Sequence, residues 1–224
     1  LVPAGCHSNF SVCVTDRKKY FAYSSTIAIY VCSLEDCQLQ HIIAECEKPI
    51  TSFDFSPFDS NKLVFSSMDK AVSVWDLTKE AVENSLKFEA TPLMTEWSPT
   101  DPNSIAIVSE DSVLRIWNLS TNSSLVSRET VFSQVAVMRW NPRVTGVIAT
   151  GHDDCAVNVY TAATKKSRRI KCGDKSLGSH TEGVADLQWD PLSDWYCLVA
   201  FRSGVIALFD TEAATQIRAL ERQP

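Results

Sequence analysis

The feature that most restricts this chain is a tripeptide returning four times: an aromatic, a small polar residue, a proline. It stands as Phe55-Ser56-Pro57, Trp97-Ser98-Pro99, Trp140-Asn141-Pro142 and Trp189-Asp190-Pro191. A second aromatic follows each copy (Trp75, Trp117, Tyr160, Phe209), and the step from proline to aromatic is 18 residues every time. These aromatics are themselves 42, 43 and 49 residues apart. A fixed offset inside a period of roughly 40–50 residues marks a repeat architecture, in which one small unit is built again and again and stacked on itself.

The residues before each closing aromatic identify the unit. Three and one positions before it stand Val72 and Val74, Leu114 and Ile116, Val157 and Val159, Ile206 and Leu208. Alternation of this kind is the period of a β-strand with one apolar face. Six positions before the aromatic come Asp69, Asp111 and Asp154, replaced by Ser203 in the last unit. Aspartate suits a tight turn because its carboxylate accepts hydrogen bonds from nearby backbone N–H groups. A first segment fits with Ile27, Ile29 and Tyr30, although it lacks the proline. Five units result, over about residues 9–46, 49–88, 91–130, 134–172 and 182–220. In the second, strands are expected at about 51–55, 63–66, 72–75 and 82–86, with turn residues such as Pro57-Phe58-Asp59-Ser60-Asn61 between them. The fold class is therefore all-β, and a four-stranded unit of this length is a β-propeller blade.

Composition bounds the function. The chain has 224 residues, 45% of them hydrophobic, which supports a folded core. No apolar run reaches the roughly 18–20 residues of a transmembrane helix, and the Leu1–Cys6 start lacks the pattern of a signal peptide. A cytoplasmic protein is expected. The net charge of −6 speaks against general nucleic-acid binding. Eight cysteines include no C-x-x-C pair, and the four histidines are scattered, so no metal site and no cofactor are expected. The glycosylation-type triplets at Asn9, Asn118 and Asn122 carry no weight without secretion.

The repeats resemble the WD-repeat family. Trp75-Asp76 is similar to its signature dipeptide and Trp117-Asn118 to a variant of it. Ser179-His180-Thr181-Glu182-Gly183-Val184 and Ala149-Thr150-Gly151-His152-Asp153-Asp154 resemble its histidine-containing segments. Tyr160-Thr161 and Phe209-Asp210 depart from the pattern, and in the last unit His180 faces Ser203 and Phe209 where the family has Asp and Trp. The family's buried hydrogen-bond network is therefore incomplete here. The resemblance implies one WD-repeat propeller domain over 1–224. Five blades imply part of a seven-bladed ring and a fragment of a longer protein, since such a ring needs about 300 residues. Leu1–Cys6, 21–30 and Trp189-Asp190-Pro191-Leu192-Ser193 are also similar to WD-repeat proteins with a second propeller and a helical-repeat tail, which resemble trafficking scaffolds.

No enzyme motif is present: no G-x-S-x-G, no H-E-x-x-H, no phosphate-binding glycine loop. Asp69, Asp111 and Asp154 recur once per unit, as turn residues do and a single active site does not. With Trp75, Trp117, Tyr160, His180 and Phe209 they are read as structural. A non-enzymatic scaffold binding other proteins or peptides is expected, with an architectural segment of a larger transport assembly as its rival. Candidate interaction residues are the basic run Lys165, Lys166, Arg168, Arg169 and Lys171, and a second group, Arg17, Lys18 and Lys19. The run is expected between the third and fourth strands of its blade and the group between the first and second. Both loop types emerge on one propeller face, so the chain is either a basic face opposite an acidic one, with weak anionic-ligand binding, or carries solvated hairpins only. Trp195 is either a loop anchor for a partner or a residue packed at a strand start.

Overall fold

The computed structural model describes residues 13–15, 18–127, 133–171 and 182–220, with twenty strands and no helix among them. Sheet 1 joins β1 (Cys13–Thr15), β2 (Tyr20–Ser24), β3 (Ile29–Ser33) and β4 (Leu39–Ile43). Sheet 2 joins β5 (Ile50–Phe55), β6 (Lys62–Ser67), β7 (Ala71–Asp76) and β8 (Ala81–Lys87). Sheet 3 joins β9 (Pro92–Trp97), β10 (Ser104–Ser109), β11 (Leu114–Asn118) and β12 (Ser123–Ser127). Sheet 4 joins β13 (Val135–Trp140), β14 (Val147–His152), β15 (Ala156–Thr161) and β16 (Lys166–Lys171). Sheet 5 joins β17 (Val184–Trp189), β18 (Tyr196–Phe201), β19 (Ile206–Asp210) and β20 (Thr215–Leu220). Each is a meander of neighbouring strands, the architecture of propeller blades. The chain forms two compact units, Leu1–Val126 and Ser127–Pro224.

Register places the repeated residues on equivalent sites. Trp75 pairs with Leu63, Trp117 with Ile105, Tyr160 with Ile148 and Phe209 with Cys197. In sheet 1 the equivalent pair is Phe21 with Cys32. The closing position of the first repeat is thus Cys32 rather than Tyr30. Sliding a strand by two residues leaves every side chain on its original face, so alternation alone cannot tell the two alignments apart. Burial does: Ile27 is exposed, whereas Ile29 and Val31 are fully buried.

The polar residue between aromatic and proline closes a turn. Ser56 Oγ accepts the N–H groups of Phe58 and Asp59, both at 3.3 Å. Ser98 Oγ accepts those of Thr100 and Asp101, at 3.3 and 3.1 Å. Asn141 Oδ1 does the same for Arg143 and Val144, at 2.8 and 2.9 Å. Proline has no N–H to offer, so the side chain reaches past it to the next two donors.

Within the first unit, sheets 1 and 2 pack Ala22, Ile29 and Val31 against Phe53, Phe65 and Trp75. Sheets 2 and 3 pack Val64, Val72 and Val74 against Trp97, Ile105 and Trp117. Within the second unit, Ala149, Val157 and Val159 of sheet 4 meet Trp189, Phe201 and Phe209 of sheet 5. Polar groups set the register of these interfaces. Thr51 Oγ1 donates to Pro92 O at 2.6 Å, and Trp97 N donates to Asp54 Oδ2 at 2.9 Å. Between sheets 4 and 5, Trp189 Nε1 donates to Arg139 O at 3.1 Å and Asn141 Nδ2 to Asp194 O at 2.7 Å. Gly151 lies close against sheet 5: a Cβ there would sit 2.5 Å from Val184 Cγ1 and 2.8 Å from Val137 Cγ1 of its own sheet.

Two substitutions test this packing. Trp117→Ala removes a fully buried ring from the interface of sheets 2 and 3 and is expected to cost about 3–5 kcal/mol in urea unfolding. Leu192→Ala, at a side chain 86% exposed, serves as the control and is expected to stay within about 0.5 kcal/mol of wild type. Gly151→Ala is expected to destabilise by about 1–3 kcal/mol, because both facing valines must shift. A Gly151→Ala melting curve superimposing on wild type would contradict the close approach.

Candidate interaction site

The recurring carboxylates sit in the hairpins between second and third strands. Asp69 Oδ1 accepts the Ala71 N–H at 3.1 Å and is bonded by Ser67 Oγ. Asp111 Oδ1 accepts the Val113 N–H at 3.1 Å, while Arg115 grips both oxygens, at 3.1 and 2.7 Å. Burial works against the ionised Asp111, but Arg115 and the Val113 N–H outweigh it and hold the carboxyl below the ordinary aspartate range. Asp154 pairs with Arg169, and although burial opposes its charge, Ser133 and Arg169 hold its carboxyl low as well.

The residue after each of these is left-handed: Lys70 at φ 69°, Ser112 at 59°, Cys155 at 64° and Gly204 at 87°. Only the last is glycine, and it follows Ser203, whose Oγ has no hydrogen-bond partner among the described residues. Where the aspartate is missing, glycine takes the strained backbone instead.

A second turn recurs after the closing position. Asp76 Oδ1 accepts the N–H groups of Thr78 and Lys79 at 2.9 and 3.1 Å. Asp210 Oδ1 accepts those of Glu212 and Ala213, both at 2.9 Å. Asn118 Oδ1 accepts that of Thr121 at 3.1 Å, and Ser33 Oγ that of Glu35 at 3.1 Å. Five positions after the closing residue each chain segment turns left-handed: Cys37, Glu80, Asn122, Lys165 and Ala214. No glycine marks these sites, so they were invisible in the sequence.

Trp75, Trp117, Tyr160 and Phe209 are all buried. His180 and Arg17 lie outside the described residues. Lys18 Nζ donates to Pro57 O at 3.3 Å, and Lys19 Nζ lies 4.6 Å from the Tyr20 ring centroid.

The basic run differs from expectation. It is not a loop: Lys166–Lys171 is strand β16 itself, and Lys165 is the left-handed residue just before it. Lysine and arginine on an outer strand keep other chains from pairing with its free edge. Two of its charges are engaged, Arg169 with Asp154 and Arg168 with the carbonyls of Thr211 and Glu212. Lys165, Lys166 and Lys171 are exposed. Trp195 is half-buried at the start of β18, and its carbonyl accepts Thr211 N at 2.9 Å and Thr211 Oγ1 at 2.7 Å.

The sequence did not reveal a polar cavity of about 320 Å³ between sheets 2 and 3. Lys62 and Glu83, paired at 2.6 Å, form part of its wall with Asn84, Asn103 and Leu119. Phe58 also lines it, with half of its surface exposed. These residues belong to loops, to the start of β6 and to the outer strand β8, from different repeats, so no single motif carries them.

His152 is fully buried. Its Nε2 lies 3.0 Å from Thr150 Oγ1 and its Nδ1 lies 3.4 Å from Ser133 O. A carbonyl only accepts, so Nδ1 carries the proton and Nε2 takes the threonine hydroxyl. Burial pushes its pKa below the ordinary 6.5. Because the unfolded chain then takes up a proton at a higher pH than the folded one, His152 stabilises fully above about pH 6.5 and loses that contribution as pH falls below it. Thermal melts from pH 8 to pH 5 are expected to show His152→Gln less stable at the high end and less sensitive to acid. Parallel melting-temperature profiles for variant and wild type would contradict a buried neutral imidazole.

The family model described as WD domain, G-beta repeat, matches residues 37–76. That stretch runs from the left-handed Cys37 through β4 and then β5–β7 to Asp76. The matched repeat is therefore staggered by one strand against the sheets, its first strand closing sheet 1. The match, on one of five copies of the same four-stranded meander, supports the WD-repeat family for this chain.

Proposed function

We infer that this chain is a non-enzymatic scaffold whose loops and inter-sheet cavities bind segments of other proteins. One observation carries the reading: the cavity between sheets 2 and 3 sets exposed Phe58 and half-buried Leu119 beside the amides of Asn84 and Asn103. Two apolar side chains within a polar lining suit a short peptide, which needs an anchor for one side chain and partners for its backbone. The recurring aromatics and carboxylates support it too, since packing and turns occupy them while the loops stay free to vary. Chemistry common to WD repeats points the same way, toward protein partners rather than catalysis. A cytoplasmic location belongs to this proposal.

The rival is an architectural segment of a larger transport assembly. The finer resemblance, to the N-terminal region of WD repeat-containing protein 17-like proteins, rests on the sequence stretches quoted above. Exposed Lys165, Lys166 and Lys171 favour weak anionic binding as a lesser activity, which salt would screen.

Panning a random peptide library against the chain separates the readings. Selected peptides are expected to bind wild type and to lose at least about tenfold in affinity, 1.4 kcal/mol, against Phe58→Ala and Asn103→Ala. No enrichment, or equal binding to both variants, would favour the architectural role.

A further inference from the structure

The cavity between sheets 2 and 3 has an equivalent place between sheets 4 and 5, and the repeat allows the two to be compared residue by residue. Phe58 and Arg143 each stand three residues after the first-strand aromatic. Pro102 and Asp194 stand five after the aromatic of the following sheet, and Asn103 and Trp195 six after it. Asn84 pairs with Val74 and Arg168 with Val159, the residues just before the closing positions. Leu119-Ser120 and Thr211-Glu212 follow the closing positions by two and three residues. The backbone makes the same bond at both places: Leu119 N donates to Asn103 O at 2.8 Å, and Thr211 N to Trp195 O at 2.9 Å.

Between sheets 4 and 5 the chain's own side chains bridge this gap. Arg168 reaches from the outer strand of sheet 4 and donates to the carbonyls of Thr211 and Glu212 in sheet 5. Arg143 pairs with Asp194 at 2.5 Å, and the Trp195 ring is half-buried. Between sheets 2 and 3 the same positions hold Asn84, Phe58, Pro102 and Asn103. Asn84 lacks the reach of Arg168, Phe58 and Pro102 form no ion pair, and an amide stands where sheet 5 has an indole. The cavity is the space these shorter side chains leave, and Leu119 and Ser120 line it. Neither of their carbonyls accepts a hydrogen bond among the described residues.

We propose that this cavity takes an arginine side chain of a partner segment, whose guanidinium donates to the Leu119 and Ser120 carbonyls as Arg168 does to those of Thr211 and Glu212. The inference rests on the reading that the cavity binds peptides, and names the side chain that anchors them. Charge complementarity favours the same occupant. Of the charged residues in the wall, Lys62 and Glu83 pair with each other, which leaves the Asp59 carboxylate without an ion pair among the described residues. A guanidinium carries its N–H donors in a planar fork, so one group serves two neighbouring carbonyls. The exposed Phe58 ring offers a face on which that plane and its aliphatic stem can lie.

Titrating capped Gly-Arg-Gly into the isotope-labelled 224-residue chain tests this by nuclear magnetic resonance, with Gly-Lys-Gly and Gly-citrulline-Gly as controls. Citrulline keeps the shape of arginine and loses its charge. The side-chain amide signals of Asn84 and Asn103 are expected to shift with the arginine peptide. The two controls are expected to bind about tenfold more weakly, as the loss of a charge-assisted hydrogen bond implies. Asn84→Arg, which copies the arrangement of Arg168, is expected to fold and to abolish binding. Should it not fold, Asp59→Asn is expected to weaken the arginine peptide. No shift of either amide, equal binding of all three peptides, or undiminished binding by a folded Asn84→Arg would each overturn the proposal. Library peptides that lack arginine yet are lost by Phe58→Ala would also overturn it and leave peptide binding standing. An arginine tripeptide bound by a chain that enriches no library peptide would support the arginine site and remove the scaffold reading.

Discussion

A four-stranded sheet cannot cover either of its own faces, and everything else in this chain follows from how that problem is met. Val64, Val72 and Val74 are buried only because Trp97, Ile105 and Trp117 of the next sheet lie on them. A fully buried side chain of this size contributes about 1.5–3 kcal/mol. A dozen of them outweigh any polar contact at the same interface. The ion pairs Arg139–Asp186, Arg143–Asp194 and Arg202–Asp153 between sheets 4 and 5 are largely exposed, and exposed pairs contribute little each. They and the buried Thr51, Ser52 and Asn141 set the register of faces that apolar burial holds together.

Stacking of this kind demands that every sheet have the same dimensions, and the turns deliver that. Polar side chains before the prolines (Ser98), in hairpins between second and third strands (Asp111) and after closing positions (Asp76) accept backbone N–H groups the turns would leave unpaired. The consequence for function is direct. Asp69, Asp76, Asp111 and Asp210 are occupied by turns, and Asp154 by its ion pair with Arg169. What distinguishes one repeat from another lies instead in loop side chains such as Phe58 and Asn103, and in what neighbouring repeats enclose between them.

Much of this architecture was legible in the residues. Equal offsets between Pro57 and Trp75 and their three counterparts require equal units, and alternation such as Val72-Ser73-Val74 requires strands, because both are properties of local backbone geometry. In the first unit the sequence pattern falls two residues out of register because Cys32 is not aromatic and a two-residue slide preserves the alternation. The run from Lys165 to Lys171 reads as a charged hairpin, since charge says nothing about pairing; its place as an outer strand depends on β15, which supplies the ladder it joins.

The sequence by itself determined the number of units, their order, their strand character and which residues form the apolar faces, since each depends on spacings within one repeat. Only the tertiary structure decided which faces find a partner, where the left-handed turn residues Cys37, Glu80 and Lys165 fall, and that Phe58, Asn84 and Asn103 share one cavity. The physical reason is range. A strand's periodicity is written in neighbouring residues, whereas burial and enclosure arise between segments some forty residues apart, where Leu198 and Val64 fit the same pattern and one of them is left in water.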